Sequence, residues 1–145
     1  MAHLFKQSGK IFFATLFAFG VLILSCKKKE TVTPVTCTAG SGGTISFHAA
    51  LFHHTVLIPN DNTRPDTVWV KYCQSGWNND PSTYVAHFIG TPGTDSVFVT
   101  GLKPGQYYFR GAGYDTSISL EVSGGVGASC DGSASIIYIN IPVTE

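Results

Sequence analysis

Residues 95–112 read Asp-Ser-Val-Phe-Val-Thr-Gly-Leu-Lys-Pro-Gly-Gln-Tyr-Tyr-Phe-Arg-Gly-Ala, and this stretch decides the fold. Residues 96–100 are rich in β-branched and aromatic side chains, which predicts a β-strand. Residues 106–112 are rich in aromatic side chains and predict a second strand. The segment 101–105 between them is typical of a turn, because proline presets φ and glycine adopts positive φ without strain. The sequence therefore predicts two strands joined by a tight turn.

The same stretch also predicts the orientation of its side chains. We expect Leu102 to close one end of the core and Gly105 to permit the reversal of the chain. Side chains alternate between the two faces of a strand, so Tyr107 is expected to point inward and Tyr108 outward.

The rest of the chain after residue 43 contains further strand patterns separated by turn signals, with no competing helical periodicity. The five additional predicted strands are residues 44–52, 67–72, 84–89, 117–122 and 134–143. The glycine-rich stretch 124–133 is expected to be a flexible connection. Two packed sheets bury the apolar face that a single sheet would leave in water. These patterns predict an all-β domain, a seven-stranded antiparallel β-sandwich.

Two segments of this domain resemble carboxypeptidase regulatory-like domains. Residues 95–109 resemble their strand-turn-strand segment, and Ile58-Pro59 followed by residues 68–71 resembles their preceding turn and strand. The whole stretch 44–145 is similar to small lipoproteins of the Bacteroidetes group that carry such a domain. The resemblance implies a transthyretin-like sandwich that serves as a scaffold or interaction module and brings no catalytic residue. Fibronectin type III domains share a similar Leu-x-Pro-Gly-x-Tyr turn and are the alternative fold.

The N-terminus has the three parts of a secretory signal. Lys6 and Lys10 form a short basic region, residues 11–24 are mostly apolar, and a small residue precedes Cys26. The apolar run is shorter than the roughly 20 residues that span a membrane. Residues 23–26, Ile-Leu-Ser-Cys, resemble a bacterial lipobox, which implies cleavage before Cys26 and a covalent lipid on its thiol. We therefore expect a signal peptide at 1–25, a lipidated flexible tether at 26–43 and the β-domain at 44–145.

The charged residues indicate which membrane the protein is anchored to and which class of partner it does not bind. By resemblance to lipoprotein sorting, Lys27 after the lipidated residue favours the outer membrane, on its periplasmic face or at the cell surface. From residue 37 onward, four Lys and Arg stand against eight Asp and Glu, a net charge of −4. Phosphate backbones require clustered cations, so the sequence argues against nucleic acid as a partner.

Three cysteines remain for the folded domain, so at most one internal disulfide forms. Cys37, Cys73 and Cys130 flank predicted strands that start or end at the same end of an alternating sandwich. Secretion to an oxidising compartment favours a disulfide. In transthyretin-like folds the first and last strands are neighbours, and the resemblance therefore favours a Cys37–Cys130 bond.

Histidines offer a possible metal site. His53 and His54 occupy a predicted turn, and His87 lies on the strand expected to run toward that turn. Imidazole is the commonest metal ligand, so these three could hold Zn²⁺ or Cu²⁺. The alternative is that they are surface imidazoles beside a turn.

Aromatic side chains offer a second kind of site. Trp77 and Tyr84 flank a polar loop and are candidates for recognition of a glycan or a protein, whereas Trp69 is expected in the core. No Gly-x-Ser-x-Gly nucleophile motif is present, and we do not expect an enzyme. The predicted function is a non-catalytic binding or assembly module in the cell envelope, with an envelope protein or a glycan as partner. The alternative is a metal-binding lipoprotein.

The anchor is tested by mass spectrometry of the native protein. The mature chain is expected to begin at Cys26 and to carry acyl chains, which together anchor it stably because each buried methylene contributes about 0.8 kcal/mol. Cys26→Ser should abolish both cleavage and acylation. An unmodified native chain that retains residues 1–25 would contradict the prediction.

Overall fold

The fold is all-β, as predicted, in a computed structural model that describes residues 37–74, 76 and 80–145. A single 3-10 turn, Pro81–Thr83, interrupts the strands of the described chain. The eight strands are β1 (Ser41–His53), β2 (Val56–Ile58), β3 (Thr67–Tyr72), β4 (Ala86–Ile89), β5 (Val97–Leu102), β6 (Gly105–Asp115), β7 (Leu120–Cys130) and β8 (Ile136–Thr144). Within the described residues, no helix has the length and apolar character needed to span a membrane.

All eight strands belong to one curled, mixed sheet. Its order is β2-β1-β8-β7-β6-β3-β4, and β5 pairs with β1 beside β2. β1 and β8 run parallel over eight residue pairs, and the other pairings are antiparallel. β7 and β8 are paired only at Ser123–Thr144 and Gly124–Val143, so they are joined at one end. The predicted seven antiparallel strands are therefore corrected to eight strands in a mixed sheet, and the two-sheet sandwich is not confirmed.

The core forms because every second residue of the long strands points inward. In β1 the inward row includes Phe47 and Leu51, which are fully buried. The ring of Phe47 packs on Phe109 of β6, with 4.8 Å between the ring centroids, and on Tyr107 at 5.8 Å. The apolar row of β8 faces the same core, where Ile141 is fully buried. These contacts join the inward-facing side chains of β1 and β6 across the interior of the curled sheet.

The stretch 95–109 forms the two predicted strands, β5 and β6, but they pair with other strands rather than with each other: β5 pairs with β1, and β6 pairs with β3 and β7. Leu102 is 1% exposed, and Tyr107 points inward. The hydroxyl of Tyr107 donates to the carbonyl of Lys103 at 2.5 Å and accepts from the Gly40 amide at 3.1 Å. Tyr108 lies on the outer side but is 6% exposed, since its ring lies across Gly125 of the next strand.

Most of the glycine-rich stretch predicted to be a flexible connection, residues 124–130, is instead part of β7, and only residues 131–133 follow that strand. A Cβ on Gly124 would come within 1.8 Å of the Pro142 carbonyl, and one on Gly125 within 2.4 Å of the Tyr108 hydroxyl. Close approach of β8 and of an aromatic ring thus requires glycine here. These glycines therefore serve packing, which strand propensity does not reveal.

The folded part begins before residue 44, so the predicted boundary of the tether is too late. β1 starts at Ser41, and the Thr38 hydroxyl donates to the Pro104 carbonyl at 2.9 Å. Ala39 packs closely on Gly105, because a Cβ on Gly105 would lie only 2.4 Å from the amide nitrogen of Ala39.

The disulfide joins Cys37 to Cys73, with Cys130 left as a free thiol, so the predicted Cys37–Cys130 bond is wrong. The first and last strands are indeed neighbours. However, Cys130 is the last residue of β7 rather than part of β8. The three cysteines do gather at one end of the sheet, where Cys37 and Cys130 line a cavity of about 280 Å³.

Cys73→Ser is expected to lower the free energy of unfolding by about 2–4 kcal/mol, because the loop between cysteines 36 residues apart is no longer closed. Cys130→Ser is the matched control and should cost less than about 1 kcal/mol. Urea denaturation measures both, and peptide mapping without reductant identifies the bond. A linked peptide that contains Cys130 would contradict the assignment.

Candidate metal centre

Polar side chains gather at the end of the core opposite the disulfide. We call this the polar end and define it by four residues: His53, Asp66, Asp115 and Glu145. His53 and Asp115 end the inward rows of β1 and β6, while Glu145 continues the row of β8 and Asp66 precedes that of β3. β1, β6 and β8 run in the same direction and β3 runs against them, so all four residues lie at the same end of the sheet.

His53 lies between two carboxylates. Its Nδ1 is 2.8 Å from Asp115 Oδ2, and its Nε2 is 2.8 Å from Glu145 Oε2. His53 and Asp115 are buried, whereas the Glu145 side chain is 58% exposed. Asp115 is fixed in turn, because its Oδ1 accepts from the Ser117 hydroxyl at 2.6 Å and from the Ser117 amide at 2.8 Å. The imidazole orientation is therefore set by a rigid inner partner and an exposed outer one.

Hydrogen bonds shift the pKa of His53 and the pKa of Asp115 toward the charged form of each group. The hydrogen bond to Asp115 raises the pKa of His53 above 6.5, although burial opposes the shift. Hydrogen bonds from Ser117 and His53 lower the pKa of Asp115. Because the His53 pKa is raised, its stabilising contribution is complete below pH 6.5 and is lost as the pH rises through the folded-state pKa.

His54 brings a second imidazole to the same place. It lies in the two-residue turn between β1 and β2 and has φ of 56°, a left-handed conformation that few residues other than glycine adopt. Its exposed ring stacks on that of His53, with 4.4 Å between the centroids. One ligand atom each from His53, His54 and Glu145 lies within 4.8 Å of the others. Backbone strain of this kind is often found at functional sites.

His87 does not join this group, so the predicted three-histidine site is corrected. It lies exposed on β4, where it pairs with Trp69, and β4 is separated from β1 by four strands along the sheet order. The structure thus keeps His53 and His54 together and replaces His87 with Glu145 as the third ligand within the described residues.

Asp66 is the unusual member of the polar end. It is 2% exposed, and its Oδ1 finds no hydrogen-bond partner among the described residues. The carboxylate lies over Gly113, where a Cβ would come within 2.1 Å of Oδ1. Its backbone is held firmly, since its amide donates to the Asn60 side chain at 2.9 Å and its carbonyl accepts from Gly90 at 2.8 Å. Burial raises the Asp66 pKa to about 7.

The predicted aromatic candidates lie elsewhere. Trp77 is outside the described residues. Tyr84 is half-buried, with the Lys71 ammonium 4.5 Å from its ring centroid, and its role in binding stays a prediction. Trp69 is half-buried on the outer side of β3, where the Arg110 guanidinium lies 4.7 Å from its ring centroid, so its expected place in the core is wrong.

Sequence reasoning missed three members of the polar end: Asp66, Asp115 and Glu145. A signal was present, because each extends an inward-facing row of apolar residues by one position of the two-residue repeat. A charged residue at such a position predicts a partner, since buried charges are rarely left unpaired. The two-residue repeat does not indicate which rows of inward-facing side chains end side by side in the folded sheet.

Comparisons of this chain with protein-family models, curated proteins and solved structures find no match in any of the three. The resemblance to carboxypeptidase regulatory-like domains therefore stays a prediction, and the function has to follow from the chemistry of the described side chains.

Asp66→Asn is expected to make the protein more stable at pH 8 by roughly 2–4 kcal/mol, with little change near pH 4. The folded-state pKa of about 7 lies above the ordinary 3.8, so the wild-type protein loses stability as the pH rises between these values. Chemical denaturation at several pH values measures the difference. Asp61→Asn is the control with the opposite sign, because hydrogen bonds from Thr63 lower the Asp61 pKa. A stability difference that does not depend on pH would contradict the prediction.

Proposed function

We propose that this protein is a lipid-anchored, non-catalytic binding protein of the cell envelope, and that its polar end holds a divalent transition metal ion. The ligands are one imidazole nitrogen each from His53 and His54 and a carboxylate oxygen from Glu145. Zn²⁺ and Cu²⁺ are the candidate ions, since both bind imidazole and carboxylate ligands.

The observation that carries the proposal is the hydrogen bond of His53 Nδ1 to Asp115. Histidines that bind metal usually donate their other ring N–H to a carboxylate, which fixes the tautomer and the direction of the free nitrogen. Asp115 does this from a buried position, at 2.8 Å. Nε2 donates its proton to the Glu145 carboxylate in the metal-free protein; release of that proton would give Nε2 a lone pair for coordination while Asp115 holds Nδ1–H.

His54 and Glu145 need to move only slightly to coordinate the ion together with His53. Tetrahedral zinc with bonds of about 2.1 Å places its ligand atoms about 3.4 Å apart. The three ligand atoms are already within 4.8 Å of one another, and His54 and Glu145 are exposed and can rotate. Three protein ligands leave a fourth position for water or for a partner molecule. The buried His53 therefore forms the fixed point of the site, and the two exposed ligands close on it.

A periplasmic or surface location suits this chemistry, because a domain anchored at Cys26 meets metal ions outside the cytoplasm. The resemblance to Bacteroidetes lipoproteins with a carboxypeptidase regulatory-like domain supports the same placement and a non-catalytic role.

Calorimetric titration with Zn²⁺ and Cu²⁺ tests the proposal. The wild-type protein should bind one ion. His54→Gly should remove a ligand while relieving the backbone strain at φ 56°, so metal affinity falls and thermal stability does not. Glu145→Gln should also weaken binding, and Asp115→Asn should weaken it by about 10–100-fold by releasing the His53 ring.

His87→Ala is the matched control, because it removes an exposed imidazole that lies on another strand. Its affinity should equal that of the wild-type protein. The proposal would be contradicted if no heat is released at micromolar metal, or if His87→Ala and His54→Gly lose equal metal affinity.

A further inference from the structure

The outer side of β5, β1 and β8 is uncharged. Outward-pointing side chains within residues 46–52, 98–100 and 136–142 form what we call the neutral face. None of these described residues is Asp, Glu, Lys or Arg, although charged residues occur elsewhere in the domain. Such a face on a folded domain requires an explanation, since exposed apolar patches usually mark sites of interaction.

A row of three rings crosses the centre of the neutral face. Phe98 of β5 pairs with His48 of β1, which pairs with Tyr138 of β8. The His48 ring centroid is 4.4 Å from that of Phe98 and 5.0 Å from that of Tyr138, and both contacts are edge-on. The row spans two strand spacings, about 10 Å. Phe98 is 43% exposed and Tyr138 is 76% exposed, so the row presents aromatic surface to solvent.

Hydrogen-bonding groups without charge surround the rings. Asn140 is the next outward residue on β8 after Tyr138, and Thr100 is the next on β5 after Phe98. Tyr138 and His48 themselves combine an apolar ring with a polar atom. A ligand that fits such a surface has apolar patches and hydroxyl groups but no charge.

The size and the charge of the neutral face decide between possible occupants. Three strands about 4.8 Å apart, over seven residues, give an area of about 300 Å². A stable dimer buries about 800 Å² per partner, which argues against a second copy of this chain. The absence of cations within the face argues against anionic lipid headgroups and other phosphates.

We propose that the neutral face binds an uncharged polysaccharide, with the sugar rings lying across Phe98, His48 and Tyr138. This inference goes beyond the proposed metal function and uses none of its ligands. Sugar C–H groups would contact the two outer rings, while Asn140 and the Tyr138 hydroxyl would meet sugar hydroxyls. The strands hold the row rigidly, so the site exists before the ligand binds.

Retention of the purified protein on cellulose and chitin, and affinity electrophoresis in soluble β-glucan, test this site. All measurements contain EDTA, so the outcome does not depend on a metal ion. The wild-type protein is expected to bind at least one of these uncharged polysaccharides, and polygalacturonate is the charged comparison. Tyr138→Ala and Phe98→Ala should each weaken binding by about tenfold.

Ile118→Ala is the matched control, because Ile118 is 42% exposed in the turn between β6 and β7, and neither of these strands pairs with β5 or β1. It should bind as the wild-type protein does, and circular dichroism should show that all variants are folded. The inference is overturned if no uncharged polysaccharide retains the protein, if Ile118→Ala loses as much affinity as Tyr138→Ala, or if polygalacturonate binds more tightly. Light scattering that shows a dimer disrupted by Tyr138→Ala would also overturn it.

Discussion

The parallel pairing of β1 with β8 is the constraint on which both candidate sites depend. Its register aligns His48 with Tyr138 and His53 with Val143. A slip of one residue would exchange the two faces of β8, moving Tyr138 into the core and turning Glu145 away from His53. The inward row of β8 is apolar from Ile137 to Val143, so burial of that row holds the register. Hydrophobic packing therefore positions the polar end and the neutral face together.

The polar end departs from what stability alone would favour. A buried carboxylate without a hydrogen-bond partner, such as Asp66 Oδ1, is costly, and a left-handed histidine adds strain. The Cys37–Cys73 bond lies at the opposite end of the sheet, where it closes a loop that includes β1, β2 and β3. One end of the sheet is thus closed by the disulfide, and the other end carries the buried carboxylate and the left-handed histidine, which lower the stability of the fold.

The two candidate sites lie on opposite sides of the same strands. His53 ends the inward row of β1, and His48 belongs to the outward row. Neighbouring residues of a strand face opposite directions, so one strand serves an internal cluster and an external surface without bringing them into contact. This separation lets a substitution on one side be made with little effect on the other, provided that the core between them stays intact.

The amino-acid sequence by itself determined the all-β class, the two strands on either side of residues 101–105, and the inward orientation of Leu102 and Tyr107, because strand patterns and turn chemistry are local. It also indicated His53 and His54 as neighbours. Only the tertiary structure decided that β1 and β8 are parallel, that Cys37 pairs with Cys73, and that Asp115 and Glu145 meet His53. The physical reason is that these contacts join residues 36–92 positions apart. Their proximity depends on strand order and on the curl of the sheet, and a two-residue repeat carries no information about which rows end side by side.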